Sequence, residues 1–273
     1  MMRKIVYDAQ RSDRYIMQTA RQPLRAIDMM IYHRIMKPIR FIVALWPALL
    51  CAAIWQLLQF APADRWWWLQ KATDPLTTTL IIYATWRYSD RQQSTTRLLL
   101  VALVLFVMAG SVMAFLPFAY FIVGLGVFLL AHLVLCVINL QRLACARRAG
   151  KRWHYCWTVV VAVGYILLAG LVVYRTIPQA GSAILAGAMG IYAVVIAVMA
   201  TSAAVAARTG YQLRWWWAAL GGAMLAASDA LLALRLFAGM SEPWLVHSIM
   251  PLYWGGLVCY VAASRPKEDS LAS

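Results

Sequence analysis

Long apolar runs bounded by basic or polar residues constrain this chain more than any other feature. Eight such runs of about twenty residues cover roughly residues 41–60, 70–87, 98–115, 120–140, 156–174, 183–206, 215–237 and 244–263. A helix of about 20 apolar residues crosses the hydrocarbon core of a bilayer. The alternation typical of membrane barrels is missing. The sequence therefore predicts an all-α, polytopic membrane helical bundle with about eight transmembrane helices.

The charge of the chain needs a separate explanation. Its net charge of +15 would suit a protein that binds nucleic acid, but the charges stand at the ends of apolar runs in a chain that is 63% hydrophobic. Charges placed there set membrane topology and contact anionic lipid. We therefore predict membrane lipids as partners and no nucleic acid, and the oligomeric state stays open.

The placement of lysine and arginine also predicts the orientation. Of the 25 Lys and Arg residues, 21 fall on one side of the predicted membrane and only 4 on the other, namely Arg65, Lys71, Arg175 and Arg235. Basic residues are enriched in cytoplasmic connections. We predict an integral protein of the bacterial inner membrane with both termini in the cytoplasm.

Three regions follow from the pattern of polarity. Residues 1–39 are basic, with apolar side chains recurring every three or four positions. This pattern predicts an amphipathic helix on the cytoplasmic membrane surface, with a disordered basic tail as the alternative. Residues 40–264 are predicted to form one eight-helix transmembrane domain, followed by a short cytoplasmic tail, residues 265–273.

Several polar side chains lie inside the predicted spans. Asp229 stands in span seven, where an isolated charge costs about 3 kcal/mol or more. It is either the centre of a site or a structural carboxylate bonded to a neighbouring helix. His132 lies near the midplane of span four, as an interhelical hydrogen bonder or as a group that handles substrate or protons. Asp74 and Ser111 lie near the outer ends of spans two and three, so these groups could share one cavity.

Two further candidates lie near the outer ends of the last spans. Arg235 and His247 are either part of the same cavity or interfacial anchors, because such side chains readily reach the headgroups. Pro251 is predicted to free the carbonyl of His247 from its helical hydrogen bond. No set of side chains has metal-ligand spacing, and nucleotide-binding fingerprints are missing, so we predict neither a metal nor a cofactor.

Short motifs resemble those of one known family. They are Asp74-Pro75-Leu76, Gly110-Ser111, Gly126-Val-Phe128-Leu-Leu-Ala-His132, and Ser228-Asp229 followed by Tyr253 in the last span. Their order and spacing over roughly residues 45–263 resemble the YhhN family, the eight-span lysoplasmalogenases.

The resemblance implies an activity and a set of site residues. It implies hydrolysis of the vinyl ether bond of lysoplasmalogen-type lysophospholipids, which releases a fatty aldehyde. The implied catalytic residues are Asp229, Asp74 and His132. The implied substrate-binding residues are Ser111, Arg235, His247 and Tyr253. Asp229 would protonate the vinyl carbon, since a carboxyl group in low dielectric can hold a proton near neutral pH. Arg235 would pair with the lipid phosphate.

The chain departs from the family pattern at two positions. The family usually has Gly-Asp where this chain has Gly110-Ser111, and Lys-Pro where it has Asp74-Pro75. One reading is that Asp74 replaces the missing carboxylate from the adjacent span. The alternative is a catalytically inactive lipid-binding or lipid-moving membrane protein on the same fold.

Overall fold

Helices account for nearly all of the computed structural model, which describes residues 37–60, 63–89, 92–117, 120–210 and 212–264. In chain order they are α1 (Lys37–Leu58), α2 (Ala63–Tyr88), α3 (Ser94–Phe115), α4 (Phe121–Arg148), α5 (Tyr155–Thr176), α6 (Ala183–Gly210), α7 (Leu213–Phe237) and α8 (Pro243–Ala263). A short 3₁₀ turn, Ile177–Gln179, follows α5. Each predicted span overlaps one of these helices, so the all-α prediction with about eight spans is confirmed.

The chain divides into two units. Residues 45–266 form one, and residues 1–44 together with 267–273 form the other. Of the second unit only residues 37–44 are described, and they begin α1. The amphipathic helix predicted within residues 1–39 lies almost wholly outside the described residues, as does the predicted tail, residues 265–273. Both regions stay predictions.

The outer surface of the helices is apolar, which indicates that lipid surrounds them. Six described helices, α3 to α8, are long and apolar enough to cross a membrane. The most apolar stretch of α5 buries none of its residues inside the protein. Val160, Ile166 and Leu167 are 65%, 62% and 67% exposed. A continuous apolar surface of this kind is unfavourable in water and favourable in lipid. The chain is an integral membrane protein.

Small residues bring α7 and α8 together. A Cβ atom built on Gly221 would lie only 2.7 Å from the carbonyl oxygen of Gly256, and one built on Gly256 would lie 3.0 Å from that of Gly221. Such a close approach of two backbones is possible only without side chains. The Ser228 hydroxyl adds a hydrogen bond to the Ile249 carbonyl, over 2.9 Å. These contacts set the position of the adjacent Asp229.

A buried amide links α4, α6 and α8. The Nδ2 atom of Asn139 on α4 lies 3.2 Å from the Met199 carbonyl oxygen, 3.3 Å from the Ser202 hydroxyl and 3.2 Å from the Tyr260 hydroxyl. Met199 and Ser202 belong to α6, and Tyr260 belongs to α8. Because a buried polar group is costly without partners, this cluster favours one register of α4, α6 and α8.

Candidate functional site

Asp229 of α7 and His132 of α4 face each other in the interior. The His132 Nε2 atom lies 3.2 Å from Asp229 Oδ2, and their side chains are only 1% and 8% exposed. Nε2 nevertheless makes no well-aligned hydrogen bond to any residue that the structure describes. The two findings agree if the carboxylate oxygen lies near the nitrogen but off its bonding direction. We therefore treat the contact as a close electrostatic pair.

The partner of the other ring nitrogen shows which nitrogen of His132 carries a hydrogen. His132 Nδ1 lies 2.8 Å from the carbonyl oxygen of Phe128. A carbonyl can only accept, so Nδ1 carries a hydrogen. The remaining nitrogen, Nε2, and Asp229 Oδ2 are therefore the two atoms of this pair that can take up or release a proton, and they lie 3.2 Å apart.

Tyr192 of α6 also contacts the His132–Asp229 pair, although it was not predicted from the sequence as a site residue. Its hydroxyl donates a hydrogen bond to Asp229 Oδ2 over 3.1 Å, and its ring centroid lies 5.6 Å from that of His132. The available signal was a tyrosine in the middle of an apolar run, because a buried tyrosine hydroxyl usually has a polar partner.

An apolar groove opens beside Asp229. It contains about 860 Å³ of unfilled space, part of it open to the surroundings, and side chains from α3 to α7 line it. Aliphatic and aromatic residues dominate the wall, with Phe121, Ile196 and Leu236 as examples. Asp229 is the only charged side chain among the described residues of this wall. A long hydrocarbon chain suits such a groove, with its end directed to the carboxyl group.

The second predicted carboxylate, Asp74 of α2, lies against α3 and α8. Its Oδ2 atom is 3.4 Å from the position that a Cβ on Gly110 would occupy. The indole N–H of Trp254 is its side-chain hydrogen-bonding neighbour, but the Nε1 atom is buried and not well aligned with an acceptor. The Trp254 indole therefore lies close to Asp74 without a well-aligned hydrogen bond to it. This buried donor beside Asp74 is therefore suited to bind a water molecule or a polar substrate group.

Tyr253 of α8 connects the two acidic positions. Its hydroxyl hydrogen-bonds to the Thr78 side chain, and it lies near enough to both Asp74 and Asp229 to interact with each electrostatically. Its ring packs edge-on against Phe106 and Phe128, with centroids 5.8 Å and 6.1 Å apart. The folded chain thus gathers Asp229, His132, Asp74 and Tyr253 around one interior region.

This arrangement occurs within a recognised family. A sequence model of the YhhN family matches residues 69–264, well over half of the 273-residue chain. The chain belongs to the YhhN family. The matched residues include every site residue predicted from the sequence, so the predicted resemblance is confirmed. No curated protein and no solved structure matches the chain.

Ser111, one of the two positions at which we expect this YhhN chain to depart from the family pattern, follows the residue that contacts Asp74. Ser111 follows Gly110 on α3 and is partly exposed. It is not among the described residues of the groove wall. A carboxylate one residue after Gly110 would still be carried by the helix that contacts Asp74.

Arg235 and His247 are separate from the acidic group of this YhhN protein. Arg235 is exposed in the last turn of α7. The His247 ring stacks on Phe60 with centroids 4.8 Å apart, and its carbonyl accepts a hydrogen bond from Gln56 Nε2 over 2.9 Å. The predicted acceptor created by Pro251 therefore exists. Neither residue belongs to the described wall of the groove beside Asp229, so the structure does not bring them together with Asp229 there.

Proposed function

We propose that this YhhN protein is a membrane-embedded hydrolase of the vinyl ether bond of lysoplasmalogen-type lysophospholipids. Its products would be a fatty aldehyde and the glycerophospho-headgroup. The observation that carries the proposal is the His132–Asp229 pair, in which Nε2 and Oδ2 lie 3.2 Å apart and Asp229 lines an apolar groove. A general acid beside a site for a hydrocarbon chain is what this reaction needs.

The first step is protonation of the vinyl ether. The alkenyl chain occupies the groove, and the pair transfers its proton to the vinyl carbon farther from the ether oxygen. The C=C electron pair forms the new C–H bond, which leaves an oxocarbenium ion. The carboxylate then formed on Asp229 stabilises that cation, and the Tyr192 hydroxyl stabilises the carboxylate through its hydrogen bond.

The second step is the addition of water. Asp74 accepts a proton from water as the water oxygen bonds to the cationic carbon, which gives a hemiacetal. The hemiacetal hydroxyl loses its proton as the bond to the glycerol oxygen breaks, and that oxygen takes up a proton. One water molecule is consumed, and the proton on Asp74 must return to the His132–Asp229 pair. Tyr253, which lies near both carboxylates, is suited to pass it on.

The test is aldehyde release by purified full-length protein. We expect fatty aldehyde from an alkenyl lysophospholipid and none from the matched alkyl ether, which has no double bond to protonate. Asp229→Asn should lower the turnover roughly a hundredfold or more, the scale of losing a general acid. Glu242→Gln is the matched control, because Glu242 is an exposed carboxylate at the start of α8. Full activity in a folded Asp229→Asn protein would exclude Asp229 as the acid.

A second candidate function is lipid binding without catalysis. Ser111 favours it, because that position usually carries a carboxylate in the family. In that case the alkenyl lysophospholipid and the alkyl ether would both bind and stabilise the protein against heat, and neither would release aldehyde. The same pair of lipids thus separates the two functions.

A further inference from the structure

A second pocket lies at the opposite end of α4 from the groove, where α3 and α7 begin and α4 and α8 end. It contains about 1190 Å³ of unfilled space. Its basic wall residues are Arg142, Arg148, Lys151 and Arg214, and the described part of the wall includes no aspartate or glutamate. At 1.5 Å per residue, Arg142 stands roughly 15 Å along α4 from His132. The pocket is therefore distinct from the proposed hydrolase site.

Arg142 is the unusual member of this group. Its side chain is only 5% exposed. Its Nη2 atom donates to the Ser264 hydroxyl over 3.0 Å, whereas its buried Nη1 atom has no hydrogen-bond partner in the described part of the chain. Among the residues that the structure describes, no carboxylate pairs with it. A buried guanidinium without an anion is costly, because its charge has lost water and gained only one neutral acceptor.

The helix ends around the pocket add to its preference for an anion. Gln93 and Gln212, the residues that precede α3 and α7, make no side-chain capping hydrogen bond. The Gln93 and Gln212 side chains therefore do not compete with a ligand for the N–H groups at the positive ends of these helix dipoles. The end of α4 is closed differently: Lys151 N–H donates to the Ala146 carbonyl over 3.1 Å. That turn satisfies carbonyl groups that would otherwise repel an anion.

We propose that this pocket binds a phosphate group, with the buried Arg142 guanidinium as its donor and Lys151 and Arg148 at the entrance. A guanidinium fork matches phosphate oxygens, and the exposed basic residues add attraction at longer range. The phosphate belongs either to the headgroup of an anionic lipid or to a small phosphorylated solute. Both present the same oxygen atoms to Arg142.

Two binding assays distinguish the sources, each with the full chain in phosphatidylcholine nanodiscs. One adds phosphatidic acid and measures by native mass spectrometry how much stays bound after the lipid is diluted. The other measures equilibrium binding of radiolabelled inorganic phosphate and glycerol 3-phosphate at constant ionic strength. Retention of phosphatidic acid alone supports the headgroup, and binding of the solutes supports the soluble ligand. No binding in either assay would overturn the proposal.

The variants test Arg142 itself. Arg142→Gln should weaken binding roughly tenfold to a hundredfold, the scale of losing a hydrogen bond between charged groups. Arg175→Gln, which removes an exposed charge outside this pocket, should leave binding unchanged. If Arg142→Gln does not fold, the exposed pair Arg148→Gln and Lys151→Gln should still weaken binding up to about fivefold per charge. Undiminished binding in a folded Arg142→Gln protein, or in the double variant when that protein does not fold, would show that any bound anion sits elsewhere.

Discussion

Tyr192 on α6 donates a hydrogen bond to the Oδ2 atom of Asp229 on α7, and the same oxygen lies 3.2 Å from His132 on α4. Three helices thus meet at one carboxyl oxygen. In an apolar interior each of these polar contacts matters more than it would in water, because no solvent replaces a lost partner.

Removing the Tyr192 hydroxyl should therefore reduce activity without unfolding the protein. We expect Tyr192→Phe to lower the rate of aldehyde release roughly tenfold or more, since hydrogen bonds to charged groups are worth about 1.5 to 3 kcal/mol. Tyr165→Phe is the matched control, because Tyr165 lines the same groove and its hydroxyl does not contact Asp229. Equal losses in the two variants would point to the shape of the groove rather than to this hydrogen bond.

The exchange of acidic groups between α2 and α3 gives a second prediction. If Asp74 is the second carboxylate, Asp74→Asn should abolish aldehyde release. Asp74→Lys combined with Ser111→Asp, which restores the usual family pattern, should recover it. Asp74 and Ser111 both lie next to Gly110, because a Cβ atom built on Gly110 would lie 3.4 Å from Asp74 Oδ2. A carboxylate carried by α2 or by α3 would therefore occupy the same region.

The single changes control this comparison. Asp74→Lys alone should be inactive, since it removes one carboxylate and adds none. Aldehyde release that persists in the Asp74→Asn protein would show that Asp74 takes no part in the reaction. Activity that first appears with Ser111→Asp alone would mean that the scaffold is competent and only the carboxylate was lost.

The close contact between α7 and α8 predicts a stability effect. Gly221→Ala places a methyl group 2.7 Å from the Gly256 carbonyl oxygen, so the helices must separate. We expect a loss of about 1 to 3 kcal/mol in the free energy of unfolding, the scale of overpacking, measured by thermal unfolding in detergent. Gly164→Ala on α5 meets nothing within 4 Å and should be neutral or slightly stabilising. Similar results for the two variants would mean that this contact is not tight in the folded protein.

The orientation predicted from basic residues can be tested with fusions. A reporter that works only in the cytoplasm should be active when fused after Arg148, at the end of α4. It should be inactive when fused near Gln179, after α5. We expect this result because 21 of the 25 basic residues fall on the predicted cytoplasmic side of the membrane and only 4 on the other side. The reverse pattern would invert the topology of the whole chain.

The spans could be predicted because their signal is local. The composition of residues 156–174 is apolar over a length that matches the thickness of a bilayer, and α5 forms there. The acceptor at His247 was predictable for a similar reason. Pro251 lacks an N–H group whatever its surroundings, so the carbonyl four residues earlier loses its helical donor.

The partners of the polar side chains depended on tertiary structure. The sequence by itself identified Asp229 and His132 as costly groups in lipid, and the motif order pointed to their family. It did not pair them, it overlooked Tyr192, and it treated Arg142 only as one of many topology signals. Which face of α6 meets α7, and which helix end covers Arg142, is decided when helices distant in sequence pack in one rotation and register. That packing determines which polar groups lie close together and which buried charge has no carboxylate partner among the described residues.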